Sequence, residues 1–158
     1  MQIKLKSTRL NAILVEDNPD DRRLFENAFS ETWMKSSLLL FRDGLQFLNY
    51  LNRAGAPIPD IIFLDLDMPV MGGLAALGHL RRSAKYSTVP VAIYSHSSSE
   101  TDILDALEIG ANVYITKPES YEKLRGLIKE VIQIHWAQGA LAINRKWAAT
   151  TTNQASHS

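Results

Sequence analysis

The chain has 158 residues and carries 17 acidic and 17 basic side chains, so its formal net charge at pH 7 is zero. This balance gives no bulk electrostatic reason to expect direct binding to nucleic acid or to a membrane surface. Cysteine is absent and no apolar run reaches the length of a membrane span, which excludes disulfides, thiolate sites and a transmembrane anchor and leads us to expect a cytoplasmic location.

Short apolar runs alternate with amphipathic, helix-length segments along the chain. Five runs have the nearly continuous apolar character of buried strands, namely residues 11–15, 37–43, 60–65, 89–95 and 112–116. Five segments have the spacing and the end signals of helices, namely residues 19–33, 44–53, 73–83, 99–109 and 119–136. The strict alternation of the two predicts an α/β fold in which helices cover both faces of a parallel sheet.

The last residues of the chain differ in composition from the rest. Segment 137–158 is too short for a second domain and ends in a polar run rich in Thr and Ser. We therefore expect one domain over residues 1–136, followed by an extended or partly disordered tail. A short amphipathic partner segment around Arg145, Lys146 and Trp147 is the alternative for the tail.

Polar side chains follow four of the five predicted strands at the point where each strand ends. Ligands of a doubly wound sheet bind outside the carboxyl ends of its strands, so these side chains are expected to share one site. They are Glu16 and Asp17 after the first strand, Asp65 and Asp67 after the third, Ser95 and His96 after the fourth, and Lys117 after the fifth.

The chemistry of this set points to phosphoryl transfer. Glu16, Asp17 and Asp65 would repel one another at close range, and a hard divalent cation with oxygen ligands, Mg²⁺ with Mn²⁺ as a substitute, removes that repulsion. A carboxylate can attack phosphorus and form an acyl phosphate. Lys117 supplies a positive charge and Ser95 a hydroxyl for the phosphoryl oxygens.

Four stretches carry a resemblance to a known family: "ILVEDN" (13–18), "LDLDMPVMGG" (64–73), "PVAIYS" (90–95) and "GANVYITKP" (110–118). Together they resemble the response-regulator receiver domain of the chemotaxis type, over roughly residues 9–136. The resemblance implies a flavodoxin-like doubly wound (βα)5 fold with strand order 2-1-3-4-5. The long last helix adds a fainter resemblance to the stand-alone receivers associated with phytochromes.

The resemblance also implies a role for each matching residue. Asp65 is implied as the phosphoacceptor, Ser95 as the hydroxyl switch and Lys117 as the lysine that pairs with the phosphoryl group. Tyr114 is implied as an aromatic rotamer switch, and Lys117–Pro118 becomes a candidate cis peptide. The metal ligands implied are Glu16, Asp17, Asp65 and the main-chain carbonyl of Asp67.

The implied function is that of a two-component response regulator, a phosphoacceptor signalling domain rather than an enzyme. The expected partners are a sensor histidine kinase or a phosphotransfer protein, a downstream protein target, and a second copy through the fourth helix, fifth strand and fifth helix. No DNA-binding output domain is expected. The alternatives are a phosphatase of the haloacid-dehalogenase type, with Asp65 as nucleophile and Asp67 as general acid, and a phosphorylation-independent interaction module.

One position departs from the family pattern. His96 stands where the family usually has Ala or Gly, and we expect its bulk to narrow access to Asp65. Unchanged rates of phosphorylation and hydrolysis in His96→Ala would contradict that idea.

Overall fold

The computed structural model describes residues 9–32 and 35–138, with the side chains of residues 135–138 left out. Five strands and five helices alternate along this part of the chain. They are β1 Arg9–Val15, α1 Pro19–Ser30, β2 Lys35–Phe41, α2 Gly44–Leu51, β3 Ile61–Leu64, α3 Gly73–Arg82, β4 Val91–Ser95, α4 Glu100–Ile109, β5 Val113–Thr116 and α5 Tyr121–Gln138.

The strands form one parallel sheet in the order β2-β1-β3-β4-β5, which confirms the predicted fold. Successive side chains of a strand point to opposite faces, so the apolar strands supply two cores. In β1, Ile13 and Val15 pack in the core shared with α2, α3 and α4, whereas Ala12 and Leu14 pack in the core shared with α1 and α5. The sheet is therefore covered on both faces, as the alternation predicts.

Several predicted boundaries were wrong by a few residues, and local hydrogen bonds explain two of them. The second strand ends at Phe41 because the Asp43 side chain accepts a hydrogen bond from Gln46 N and caps α2 instead. The third strand begins at Ile61 because Asp60 exchanges hydrogen bonds with the main chain of Asn11.

Part of the predicted sequence pattern lies outside the described residues. This holds for residue 33 and for the tail after residue 138, including the segment around Arg145. Helix α1 itself ends at Ser30, so the predicted end of the first helix at residue 33 was wrong. The last helix continues to Gln138, two residues past its predicted end. Within the described residues, no helix combines the length and the hydropathy needed to cross a membrane.

The loop between β3 and α3 contains a strained residue. Val70 has a φ of 69°, a region that β-branched residues rarely adopt. The Met71 N–H donates to the Pro69 carbonyl over 2.7 Å, which closes a three-residue turn centred on Val70. Val70 is 78% exposed, so little packing offsets the strain.

We expect Val70→Gly to stabilise the protein by about 1 kcal/mol. Relief of the strain contributes about 1–3 kcal/mol, whereas the greater conformational entropy that glycine loses on folding costs about 0.5–1 kcal/mol. Chemical denaturation of the two proteins measures the difference. Val70→Ala is the control, since it keeps a Cβ atom at positive φ and should gain less. A glycine variant no more stable than the parent would show that the turn is not strained.

Candidate functional site

Three predicted site residues follow strands at the same edge of the sheet. Each main-chain N–H adds one bond beyond the end of its strand: Glu16 to Phe41 O (2.9 Å), Asp65 to Val15 O (3.0 Å) and Lys117 to Ser95 O (2.7 Å). These bonds fix the three Cα positions, and the side chains line one cavity of about 160 Å³. The structure thus brings these three predicted residues together around one cavity.

Three carboxylates form the acidic part of the site. Glu16, Asp17 and Asp65 each offer an oxygen, and these oxygens lie within 4.8 Å of one another. Glu16 is wholly buried and Asp65 is 4% exposed. Three hard anionic ligands this close together fit a divalent cation such as Mg²⁺. These residues could hold one.

The start of α1 orders the loop that carries two of these carboxylates. Arg22 Nη1 donates to the carbonyl of Glu16 over 2.8 Å and to that of Asp17 over 3.1 Å. The Asn18 N–H donates to Glu16 Oε2, and the Asn18 side chain caps α1. Arg22 was not predicted as a residue of the site. Its place one turn into a helix that directly follows the acidic pair was the available signal.

Close packing holds the main chain of Asp65 in place. A Cβ atom on Gly73 would lie 2.1 Å from the Asp65 carbonyl oxygen. Only glycine therefore lets the start of α3 approach the end of β3 this closely. The Gly73 N–H also donates to Leu66 O over 2.9 Å, which ties the helix to the residue after Asp65.

Burial and charge shift the titration of the two most buried carboxyl groups. Burial, reinforced by the carboxylate of Glu16, raises the pKa of Asp65 from 3.8 to about 7, against the opposing effect of Lys117. Burial also raises the pKa of Glu16, although Lys117 again opposes the shift. The carboxyl groups of Glu16 and Asp65 therefore resist being ionised together unless a cation other than Lys117 is bound.

Lys117 is buried, and its ammonium group lies among carboxylates. Its Nζ is 2.7 Å from Glu16 Oε1, donates a hydrogen bond to Asp21 Oδ2 over 2.8 Å, and is 3.9 Å from Asp65 Oδ2. The contact with Glu16 is an ion pair between two buried groups. Although burial opposes it, Asp21 and Glu16 hold the pKa of Lys117 above its usual range.

Ser95 and Tyr114 do not line the cavity, and they are linked to each other through one loop. Both are fully buried. The Ser97 N–H donates to Ser95 Oγ over 3.2 Å, and the Tyr114 hydroxyl donates to the Ser97 carbonyl over 2.8 Å. The main chain at Ser97 thus connects the two predicted switch residues.

Asp67 and His96 border the cavity from its exposed side. Asp67 does not belong to the group of three carboxylates whose oxygens could share an ion. The His96 side chain is 74% exposed, and its Nε2 lies 3.1 Å from Asp21 Oδ2. Its predicted effect on access to Asp65 stays a prediction.

Two predictions need correction or addition. The described residues contain no cis peptide bond, so the Lys117–Pro118 candidate was wrong, in line with the trans preference of about 0.5–1 kcal/mol before proline. Asp21, which contacts both Lys117 and His96, was not predicted as a residue of the site. Asp21 stands in the first turn of α1, a helix that starts at the site edge.

Comparison with known proteins gives a consistent family match. Residues 12–129 match the family model of the response regulator receiver domain. Response regulator Rcp1 of Synechocystis sp. (strain ATCC 27184 / PCC 6803 / Kazusa) is 28% identical over 123 residues, which are 75% of this chain and 84% of Rcp1. The crystal structure of its Mn²⁺-bound form has a TM-score of 0.71 at 27% identity and covers 80% of this chain and 94% of that one.

Two further crystal structures extend the match. The phosphorylated cyanobacterial phytochrome response regulator RcpA has a TM-score of 0.74 at 31% identity, covering 82% of this chain and 94% of that one. The receiver domain of sensor histidine kinase PA1611 from Pseudomonas aeruginosa PAO1, with magnesium in its active-site cleft, has a TM-score of 0.67 at 25% identity. That match covers 78% of this chain and 94% of the other.

Proposed function

The chain belongs to the response regulator receiver domain family of two-component signalling, and on that premise we propose that Asp65 is its phosphoacceptor. The main support is the position of Asp65, which is buried at the end of β3 between two further carboxylates and Lys117. The match to RcpA, a phosphorylated phytochrome response regulator, agrees with the fainter resemblance to that type.

In the proposed reaction, an Asp65 oxygen attacks the phosphorus of a phosphohistidine on a histidine kinase or a phosphotransfer protein. The new P–O bond replaces the P–N bond, and the leaving imidazole takes up a proton from solvent. Lys117 balances the charge of the transferred group. Mg²⁺, or Mn²⁺ in its place, supplies charge neutralisation when it is bound by Glu16, Asp17, Asp65 and the Asp67 carbonyl.

The proposed signal leaves the site through Ser95 and Tyr114. A hydrogen bond from the Ser95 hydroxyl to a phosphoryl oxygen would draw Ser95 Oγ from the Ser97 N–H, and the main chain at Ser97 also binds Tyr114. The surface of α4, β5 and α5 would then change its preference for a downstream protein or for a second copy. Leu104 on α4 is 54% exposed and offers apolar contact there.

Phosphoryl uptake is the experiment that tests this function. The full chain is incubated with Mg²⁺ and a small phosphodonor, and intact mass is measured. We expect an adduct of about 80 Da that survives acid and is lost in base, as for an acyl phosphate. The function is overturned if no adduct forms with Mg²⁺ present, or if a chelator leaves the yield unchanged.

The chain is proposed to act as a phosphoacceptor and not as an enzyme that turns over external substrates. The Asp65 and Asp67 pair of the phosphatase alternative predicts steady hydrolysis of a generic phosphate ester, which we do not expect. We further propose a cytoplasmic site of action, since a chain without cysteine is compatible with a reducing compartment. Cell fractionation tests that location.

Mg²⁺ is expected to raise the melting temperature more at about pH 8 than at about pH 5.5. The pKa of Asp65 in the folded protein is about 7, above its ordinary value of 3.8. Between these two pH values the metal-free folded protein therefore binds one more proton than the unfolded chain. Its stability therefore falls as pH rises towards 7, and bound Mg²⁺ competes with that proton. Thermal scans with Mg²⁺ and with chelator measure the difference. Equal stabilisation at both pH values would contradict the shift.

A further inference from the structure

Asp21 contacts Lys117, the positively charged side chain of the site, and has no role in the function proposed above. It lies in the first turn of α1, and its side chain is 18% exposed. Its Oδ2 accepts a hydrogen bond from Lys117 over 2.8 Å, whereas Lys117 Nζ is 3.9 Å from Asp65 Oδ2. The ammonium therefore lies against Asp21 and Glu16, at 2.8 and 2.7 Å, and not against the phosphoacceptor.

We propose that Asp21 is a positioning residue that draws Lys117 away from Asp65 and thereby disfavours the phosphorylated state. The proposal rests on the phosphoacceptor role of Asp65. Phosphorylation adds negative charge at Asp65, and Lys117 must turn towards it. Every increment of attraction between Lys117 and Asp21 opposes that turn.

Asp21 differs from Glu16, the other carboxylate beside Lys117. Glu16 belongs to the group of three carboxylates that could hold a cation, so a bound metal would take up its charge. Asp21 lies outside that group, and its charge stays available to Lys117 whether or not a metal is present. Both carboxylates contact the ammonium directly, Glu16 Oε1 at 2.7 Å and Asp21 Oδ2 at 2.8 Å, so the two differ in their relation to the metal and not in their distance from Lys117.

Electrostatic repulsion acts in the same direction as this competition. Asp21 and Asp65 both lie within 4 Å of Lys117 Nζ, so the Asp21 carboxylate also repels an anionic donor and the phosphoryl group it delivers. His96 Nε2 shares Asp21 Oδ2 at 3.1 Å and ties this carboxylate to the loop after β4. Both effects predict that removing the charge of Asp21 favours phosphorylation.

The test compares Asp21→Asn with the parent, using the full chain, Mg²⁺ and acetyl phosphate as donor. We expect the variant to be phosphorylated about three- to tenfold faster than the parent, and we expect its phosphorylation rate to depend less on salt concentration. Beryllofluoride, an unreactive phosphoryl mimic, should bind the variant more tightly by a similar factor. Asp21→Glu restores the charge and should return both values towards those of the parent.

Asp20→Asn is the matched control, because it removes the same charge from the same helical turn. Asp20 is exposed and pairs with Arg23, not with Lys117. The proposal is overturned if Asp21→Asn is no faster than the parent, or if Asp20→Asn is accelerated equally. A parent that forms no adduct at all would instead overturn the function of Asp65, so the two failures are distinguishable.

Discussion

Asp65→Asn is expected to abolish phosphoryl uptake and to stabilise the metal-free protein. The amide is a very poor nucleophile, so the rate should fall by about a thousandfold or more. The same change removes a buried charge. The raised pKa, about 7 against 3.8, means that ionising Asp65 costs folding free energy, and this cost is complete once the pH exceeds 7.

The two effects have opposite signs, so one variant tests both. At about pH 8 the asparagine protein should be more stable than the metal-free parent by a few kcal/mol, and at about pH 4 the gain should largely disappear. Mass spectrometry measures uptake, and denaturant titration measures stability. Asp20→Asn, with the same loss of charge on the surface, should show neither effect. An adduct of undiminished yield in Asp65→Asn would rule out Asp65 as the acceptor.

The fold and most of the site could be predicted from local patterns. Apolar strands alternating with helices predict a parallel sheet, and the carboxyl ends of parallel strands lie at one edge. Asp65 is one residue past β3, and Glu16 is one residue past β1, so their proximity follows from topology alone. No side-chain conformation had to be known to bring these carboxylates to the same cavity.

The contact of Asp21 with Lys117 could not be predicted, because it depends on the direction in which each side chain of α1 points. Asp20 and Asp21 are adjacent in the same helical turn and look alike in sequence, yet only Asp21 reaches Lys117. A rotation of about 100° per helical residue separates the two, and the position of α1 on the sheet decides which one faces the site. The strain at Val70 was missed for a similar reason, since a positive φ in a β-branched residue has no sequence signal.

Lys117→Met is expected to destabilise the metal-free protein by about 3–5 kcal/mol at neutral pH, because it leaves buried carboxylates without their counter-charge. Among the described residues that line the cavity, Lys117 is the only lysine or arginine. Its charge opposes the upward pKa shifts of Glu16 and Asp65, so both shifts should grow in the variant. Phosphoryl uptake should also fall by about a hundredfold or more, since the transferred group loses its positive partner.

The dependence on pH and metal separates this electrostatic effect from a loss of packing. The folded pKa values of Glu16 and Asp65 would rise further, so the variant should regain stability as the pH falls below them and the carboxylates are protonated. Mg²⁺ should restore part of the loss near neutral pH, because it replaces the missing charge. Lys123→Met, which changes an exposed lysine on α5, is the control and should show neither response. A deficit in Lys117→Met that stays constant from about pH 5 to about pH 8 would mean that Lys117 acts through its aliphatic chain and not through its charge.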